Sequence, residues 1–200
     1  MDTQSPETAE TAPTSRRALI ASLIGAGAAV MAAGRASAAD SPTDSAAPAA
    51  GMGAPTTTVA APSHSDADVG PLNALLALEA DVVATYGAAK AKTSGDDLAA
   101  LTLIEENHLA YVQAIEGYLG RKAVQTPGTA RSVAGSGYAE IATALAAVEG
   151  EAVQAHLQAL ATLQGLDAAT LVASIITVEA RHRAALLVSS TGSVDAITGN

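Results

Sequence analysis

Acidic and imidazole side chains interrupt the apolar stripes of four successive helical stretches, and they do so in a repeated pattern. The pattern is a glutamate followed later by Glu-x-x-His, and it occurs twice in the 200-residue chain. A carboxylate in a dry core costs several kcal/mol unless something pairs with it. Four helices that each bury such groups indicate a shared cation, such as two metal ions bridged by carboxylates. The candidate metal ligands are Glu79, Glu105, His108, Glu149, Glu179 and His182.

The helices are predicted from apolar residues that recur at spacings of three and four. They extend over roughly 71–92, 96–120, 138–163 and 167–188. Asp96 or Asp97 is expected to cap the second helix, and Asp167 the fourth. The chain has no Phe or Trp and only four Tyr. Sheets usually rely on aromatic and β-branched side chains, so the fold class is predicted to be all-α.

An internal repeat divides these helices into two similar hairpins. Residues 78–86 resemble residues 148–156, and residues 104–108 resemble residues 178–182. Within each hairpin, the lone glutamate and the glutamate of Glu-x-x-His are equidistant from the predicted turn. Each hairpin is therefore expected to bring its ligands to one level of the bundle. The connection 121–135 is long enough to cross the bundle from end to end, which predicts one long crossover and parallel second and third helices.

This pattern, over residues 71–189, resembles the ferritin-like superfamily of di-iron and di-manganese carboxylate proteins. The resemblance implies an all-α, ferritin-like four-helix bundle made of two helical hairpins joined by a long crossover. It implies that Glu79 and Glu149 are the single-helix carboxylates, that Glu105 and Glu179 bridge or chelate the metals, and that His108 and His182 each bind one metal. Four carboxylates would balance two Fe or two Mn ions, and the partners would be metal ions and dioxygen or peroxide.

Three further side chains lie near the candidate ligands. Tyr86 lies seven residues beyond Glu79, where it is either a redox-active neighbour of the ligands or a plain core tyrosine. His156 lies seven residues beyond Glu149, about 10 Å along the helix axis, so we expect a polar core residue or a neighbour of the ligands. Tyr111 either donates a hydrogen bond to a ligand or packs at the surface.

Composition excludes several classes of function. With no cysteine, the chain has no disulfide, thiolate nucleophile or iron–sulfur cluster, and any metal must be bound by nitrogen and oxygen. A net charge of -10 argues against binding to nucleic acid or anionic lipid. We expect no stable membrane insertion once the signal is removed. The sequence is compatible with either a monomer or a homodimer.

The N-terminal residues 1–38 are predicted to be an export signal. Arg16 and Arg17 precede a mild apolar run, and a small-x-small cleavage site ends at Ala38. The paired arginines resemble a twin-arginine signal; the alternative is an ordinary secretory signal. The translocase would be a partner during export to the periplasm, the exterior or the cell envelope of a bacterium. Residues 39–70 are predicted to be a disordered Ala/Pro/Ser/Thr linker and residues 190–200 a tail.

Three functions are compatible with these features. The first is an exported redox protein, related to oxidative stress, that activates or removes dioxygen or peroxide or oxidises Fe(II), as a ferroxidase, peroxidase or catalase-like oxidoreductase. The second is a non-enzymatic exported stress or cell-envelope bundle that binds metal structurally. The third, a partner-binding bundle that retains the ligands as a relic, is disfavoured because four metal-free carboxylates would repel one another in the core.

Overall fold

The computed structural model describes residues 64–192, and these residues form four long α-helices and no β-strand. The helix bounds are α1 Val69–Lys90, α2 Gly95–Leu119, α3 Tyr138–Leu160 and α4 Leu166–Thr191, and short 3-10 turns lie at Asp66–Asp68 and Gly120–Lys122. The predicted all-α class is confirmed, and each helix lies within a few residues of its predicted range. The predicted signal 1–38, linker residues 39–63 and tail residues 193–200 lie outside the described residues.

Acidic residues occupy the first turns of α2 and α4 rather than the cap positions predicted for them. The cap positions belong to Ser94 and Gly165, while Asp96, Asp97 and Asp167 lie two or three residues further on. The capping prediction is therefore wrong by that offset. These carboxylates still face the positive end of the helix dipole, an arrangement that stabilises a helix by about 0.3–1 kcal/mol per charge.

Small side chains allow the helices to pack closely. α1 packs against α2 and α3, and α4 packs against α3 and α2. The core combines fully buried leucine and isoleucine, each contributing about 1.5–3 kcal/mol on burial, with a set of buried alanines, namely Ala89, Ala100, Ala142, Ala146, Ala152, Ala168 and Ala185. Within residues 64–192, no helix is long and apolar enough to cross a membrane.

The connection between α2 and α3 lies along α1. The backbone N–H of Thr129 donates to Asp81 Oδ1 at 2.7 Å, and that of Arg131 donates to Thr85 Oγ1 at 3.0 Å. Further along, Lys92 Nζ donates to the carbonyl of Val133 at 2.7 Å. The connection thus follows α1 from its middle to its C-terminal end, so α3 begins at the end of the bundle where α2 begins. The two helices therefore run parallel, as expected for a long crossover.

A buried aspartate joins the turn before α1 to the turn before α4. The carboxylate of Asp68 is fully buried, and it accepts hydrogen bonds from the backbone N–H groups of Gln164 and Gly165, each at 2.8 Å. Residues 66–70, placed at the end of the predicted linker, belong to this turn and to the first residues of α1. The ordered bundle therefore starts earlier than residue 71.

Candidate metal centre

Six polar side chains lie fully buried between the four helices. One comes from α1, one from α2, two from α3 and two from α4, and the set is Glu79, His108, Glu149, His156, Glu179 and His182. Each of them replaces an apolar residue in the core stripe of its helix. They form two groups of three, and within each group the nearest nitrogen or oxygen atoms all lie within 4.8 Å of one another.

The first group contains His108, Glu149 and His182. His108 Nε2 lies 3.0 Å from Glu149 Oε1, and His182 Nδ1 lies 3.4 Å from Glu149 Oε2. The carboxylate of Glu149 therefore stands between two imidazole rings. Two nitrogens and one carboxylate are a donor set that suits a divalent ion such as Fe or Mn.

The second group contains Glu79, His156 and Glu179. His156 Nε2 lies 3.2 Å from Glu79 Oε1, and His156 Nδ1 lies 3.2 Å from Glu179 Oε2. The two groups adjoin, because His108 Nδ1 lies 2.8 Å from Glu79 Oε2. The whole centre is thus a continuous row in which carboxylates and imidazoles alternate.

Several atoms of this row are close to one another without forming hydrogen bonds. The buried atoms with no hydrogen-bond partner include Glu79 Oε1, Glu149 Oε2, His156 Nε2, His182 Nδ1 and both carboxylate oxygens of Glu179. A buried polar atom without a partner costs about 1–3 kcal/mol. All six are metal-ligating atom types, and they belong to both groups. This orphaned set fits a bound cation in each group better than it fits a network held by hydrogen bonds alone.

Neighbouring groups fix the orientation of two histidine rings. His156 Nδ1 donates to the backbone carbonyl of Ala152 at 2.9 Å, and this leaves Nε2 on the side of the ring that faces Glu79. His182 Nε2 is 3.1 Å from Asn107 Nδ2, on the side of the ring away from Glu149. Metal-binding histidines usually carry such a partner on the second ring nitrogen.

Two tyrosines flank the first group. The Tyr86 hydroxyl donates a hydrogen bond to Glu149, and its ring centroid lies 5.4 Å from that of His108. Tyr111 is buried, meets His108 edge-on at 5.4 Å and stacks on His182 at 6.4 Å, while its hydroxyl has no hydrogen-bond partner. The structure thus places Tyr86 beside a candidate ligand, and it places Tyr111 against two ligand rings rather than at the surface.

The carboxylates of the centre differ in acidity. Burial alone would raise the pKa of Glu79, but the adjacent His108 and His156 rings outweigh burial and lower this pKa to about 2. The pKa of Glu149 is also lowered despite burial, through His108 and His182. Burial raises the pKa of Glu179 to about 7, and repulsion from Glu79 and Glu149 adds to the rise while His156 opposes it.

The three histidines of the centre also differ in pKa. Burial disfavours the charged ring of His156, yet Glu179 and Glu79 raise its pKa to about 10. His108 likewise has a raised pKa, because Glu149 and Glu79 outweigh burial. Burial lowers the pKa of His182. Protons on His108 and His156 balance the carboxylates in the absence of metal, so a metal ion must displace protons to bind.

Glu105 is the one predicted ligand that lies outside both groups. Its side chain is 13% exposed and forms an ion pair with Lys90 in the groove between α1 and α2. The equal-level prediction placed Glu105 opposite Glu79, but His108 contacts Glu79, and Glu105 lies beside Gly87 instead. A residue count from the predicted turn compares positions along the two helices, and it does not capture that the Glu105 side chain turns to Lys90.

His156 is the member of the centre that sequence reasoning placed outside the ligand set. A separation of about 10 Å from Glu149 along α3 is too long for both residues to bind within one compact site. The two groups instead lie along the bundle axis, so the same α3 supplies Glu149 to one group and His156 to the other. The available signal was the core-stripe position of His156 and its alignment with Tyr86 in the internal repeat.

Comparison with known proteins gives one match. A family model described as a ferritin-like domain matches residues 57–189, a range that includes every residue of both groups. No curated protein and no solved structure significantly matches the chain.

Proposed function

Because the chain belongs to the ferritin-like domain family, we propose that its buried centre binds two redox-active ions, Fe or Mn, and reacts with dioxygen or peroxide. The observation that carries this proposal is the set of fully buried carboxylate and imidazole atoms without hydrogen-bond partners, distributed over both three-residue groups. Nitrogen and oxygen donors of this kind suit Fe or Mn as the bound metal.

Each group is proposed to bind one ion. His108, Glu149 and His182 would bind the first, and Glu79, His156 and Glu179 the second. When bound, the ions would supply the electrons that reduce dioxygen or peroxide and would be oxidised in the same step, as Fe(II) is in a ferroxidase reaction. The Asn107 amide and the Ala152 carbonyl hold the ligand rings in place, and the surrounding apolar core excludes bulk water.

The burial of the centre supports small reactants. All six residues of the two groups have a relative exposure of 0%. An organic substrate of ordinary size has no access to atoms so deeply placed unless helices separate, whereas dioxygen and peroxide are small enough to diffuse through local openings. This argument supports dioxygen, peroxide or Fe(II) as the reactant, and it includes ferroxidase, peroxidase and catalase-like reactions.

The test begins with elemental analysis of natively isolated protein, followed by measurement of Fe(II) oxidation and peroxide consumption. We expect about two Fe or Mn per chain and turnover that Glu149→Gln abolishes. Glu106→Gln is the matched control, because Glu106 is an exposed carboxylate on α2. Metal-free protein that also refuses Fe(II) and Mn(II) would refute the proposal.

A non-enzymatic bundle that binds metal structurally is the second candidate. It is favoured by the complete burial of all six side chains, because ions enclosed there would join the four helices whether or not a reactant reached them. Metal-loaded protein that is stabilised but consumes neither peroxide nor dioxygen would support this candidate over the first.

We also propose that the protein is exported, with residues 1–38 as a twin-arginine-type signal. The support is the sequence alone: Arg16 and Arg17 ahead of an apolar run and a cleavage site ending at Ala38. We expect the exported form to begin at Ala39 and the double change of both arginines to lysine to retain the protein in the cytoplasm. Mass spectrometry of the N-terminus in cell fractions measures both outcomes.

A further inference from the structure

The ion pair between Lys90 and Glu105 lies at the edge of the metal centre. Both side chains are partly buried, with exposures of 23% for Lys90 and 13% for Glu105. Glu105 precedes His108 by three residues on α2, so their Cβ atoms are about 5–6 Å apart on adjoining parts of the helix surface. The carboxylate rests over Gly87, where a Cβ would lie 3.5 Å from Glu105 Oε1. Glu105 therefore shares the surface of α2 with His108, while its carboxylate faces Lys90 and Gly87.

The charge balance of the centre indicates a role for the carboxylate of Glu105. The two groups contain three carboxylates, from Glu79, Glu149 and Glu179. One divalent ion leaves the centre with an excess negative charge, whereas two divalent ions bring four positive charges against three negative ones. An uncompensated charge in a buried site is costly. Glu105 is the acidic side chain next to His108 that would restore neutrality, and Lys90 already neutralises it in the groove.

We propose that Lys90 holds Glu105 outside the centre until both groups contain a divalent ion, and so sets the affinity for whichever of the two ions binds second. This inference rests on the proposed function, since it requires a centre that binds metal. When the second ion binds, Glu105 exchanges its ammonium partner for the ion, and the Lys90 side chain turns to solvent. Lys90 is thus a positioning residue that acts through Glu105.

The experiment is anaerobic calorimetric titration of metal-free protein with Mn(II). Lys90→Met removes the competitor, and we expect the second ion to bind about fivefold more tightly, the value of a partly buried ion pair of about 1 kcal/mol. Glu105→Gln should lower the affinity for the second ion by more than about tenfold or abolish its binding. The affinity for the first ion should be unchanged. Lys122→Met is the control, because it breaks another lysine–carboxylate ion pair, with Asp66, at the surface.

The double variant Lys90→Met/Glu105→Gln tests whether Lys90 acts through Glu105. We expect the double variant to bind Mn(II) like Glu105→Gln alone, since without the carboxylate the lysine has nothing to hold. Additive effects of the two changes would overturn the inference.

The remaining outcomes separate this inference from the proposed function. A wild-type chain that binds one Mn(II) ion while Lys90→Met binds two supports the inference. Two ions bound with wild-type affinity by both single variants would overturn the inference and leave the metal site standing. A wild-type chain that binds no Mn(II) and no Fe(II) would overturn both.

Discussion

At the scale of single residues, the centre depends on groups that fix the ligand rings as much as on the ligands. Asn107 contacts the nitrogen of His182 that faces away from Glu149. Without this contact, the His182 ring could rotate or adopt the other tautomer, and Nδ1 would no longer be presented to the first group. The ring of His156 is held by a backbone carbonyl instead, which a side-chain substitution leaves in place.

Asn107→Ala is therefore expected to weaken metal binding by about 10–100-fold, the usual effect of losing the partner of a metal-binding histidine. The measurement is the Mn(II) dissociation constant from calorimetry. Gln154→Ala, an exposed amide on α3, is the control and should leave the constant unchanged. Equal constants for the two variants would show that Asn107 does not orient a ligand.

His156→Gln tests whether this residue is a ligand. The glutamine keeps similar volume and polarity but loses the imidazole, so we expect affinity for one of two ions to fall by more than roughly tenfold. His64→Gln, at an exposed histidine, should have no effect. Circular dichroism confirms folding of both variants. Two ions bound by His156→Gln as tightly as by the wild type would exclude His156 from the ligand set.

At the scale of elements, the crossover between α2 and α3 keeps α1 in place. Gly128 lies so close to α1 that a Cβ there would be 1.9 Å from the carbonyl oxygen of Ala80 and 2.5 Å from its carbonyl carbon. Both atoms are backbone, so neither can move aside without displacing α1. Glu79, the only α1 member of the two groups, is adjacent to Ala80 in the chain.

Gly128→Ala is expected to destabilise the protein by about 1–3 kcal/mol, because the added methyl group must separate the crossover from α1. The free energy of unfolding in urea measures the effect. Gly117→Ala makes the same chemical change within α2, where a Cβ would meet nothing within 4 Å, and it should stabilise by about 0.5–1 kcal/mol. Equal values for the two variants would contradict the close packing.

Sequence reasoning predicted the helices, the two hairpins and five of the six residues of the centre, because apolar stripes and turn residues are local signals. It did not predict the exchange of Glu105 for His156. That exchange depends on which neighbour the Glu105 side chain pairs with and on the placement of the two groups along the bundle axis. Neither quantity is encoded in spacing along one helix.

At the scale of the whole molecule, metal binding and folding are expected to be linked. Both three-residue groups combine side chains from the two hairpins, so the proposed metal sites exist only in the folded chain and not in the unfolded one. We expect Mn(II) at 100 times its dissociation constant to stabilise the fold by about 2.7 kcal/mol.

This linkage predicts that chelation lowers the melting temperature by roughly 10 °C, given the size of the domain. The measurement is thermal unfolding followed by circular dichroism, before and after metal removal that elemental analysis verifies. Glu149→Gln is the comparison, because it removes a ligand from one of the two groups, so Mn(II) should raise its melting temperature by less than it raises that of the wild type. An unchanged melting curve for the wild type would mean that the stability of the bundle does not depend on metal.

The division of each group between the hairpins also orders the events of biosynthesis. α1 and α2 contribute one residue each, Glu79 and His108, while α3 and α4 contribute two each. A ribosome-bound chain that has completed only the first hairpin contains one residue of each group. A centre of the proposed kind therefore cannot form until α4 has emerged and the two hairpins have docked.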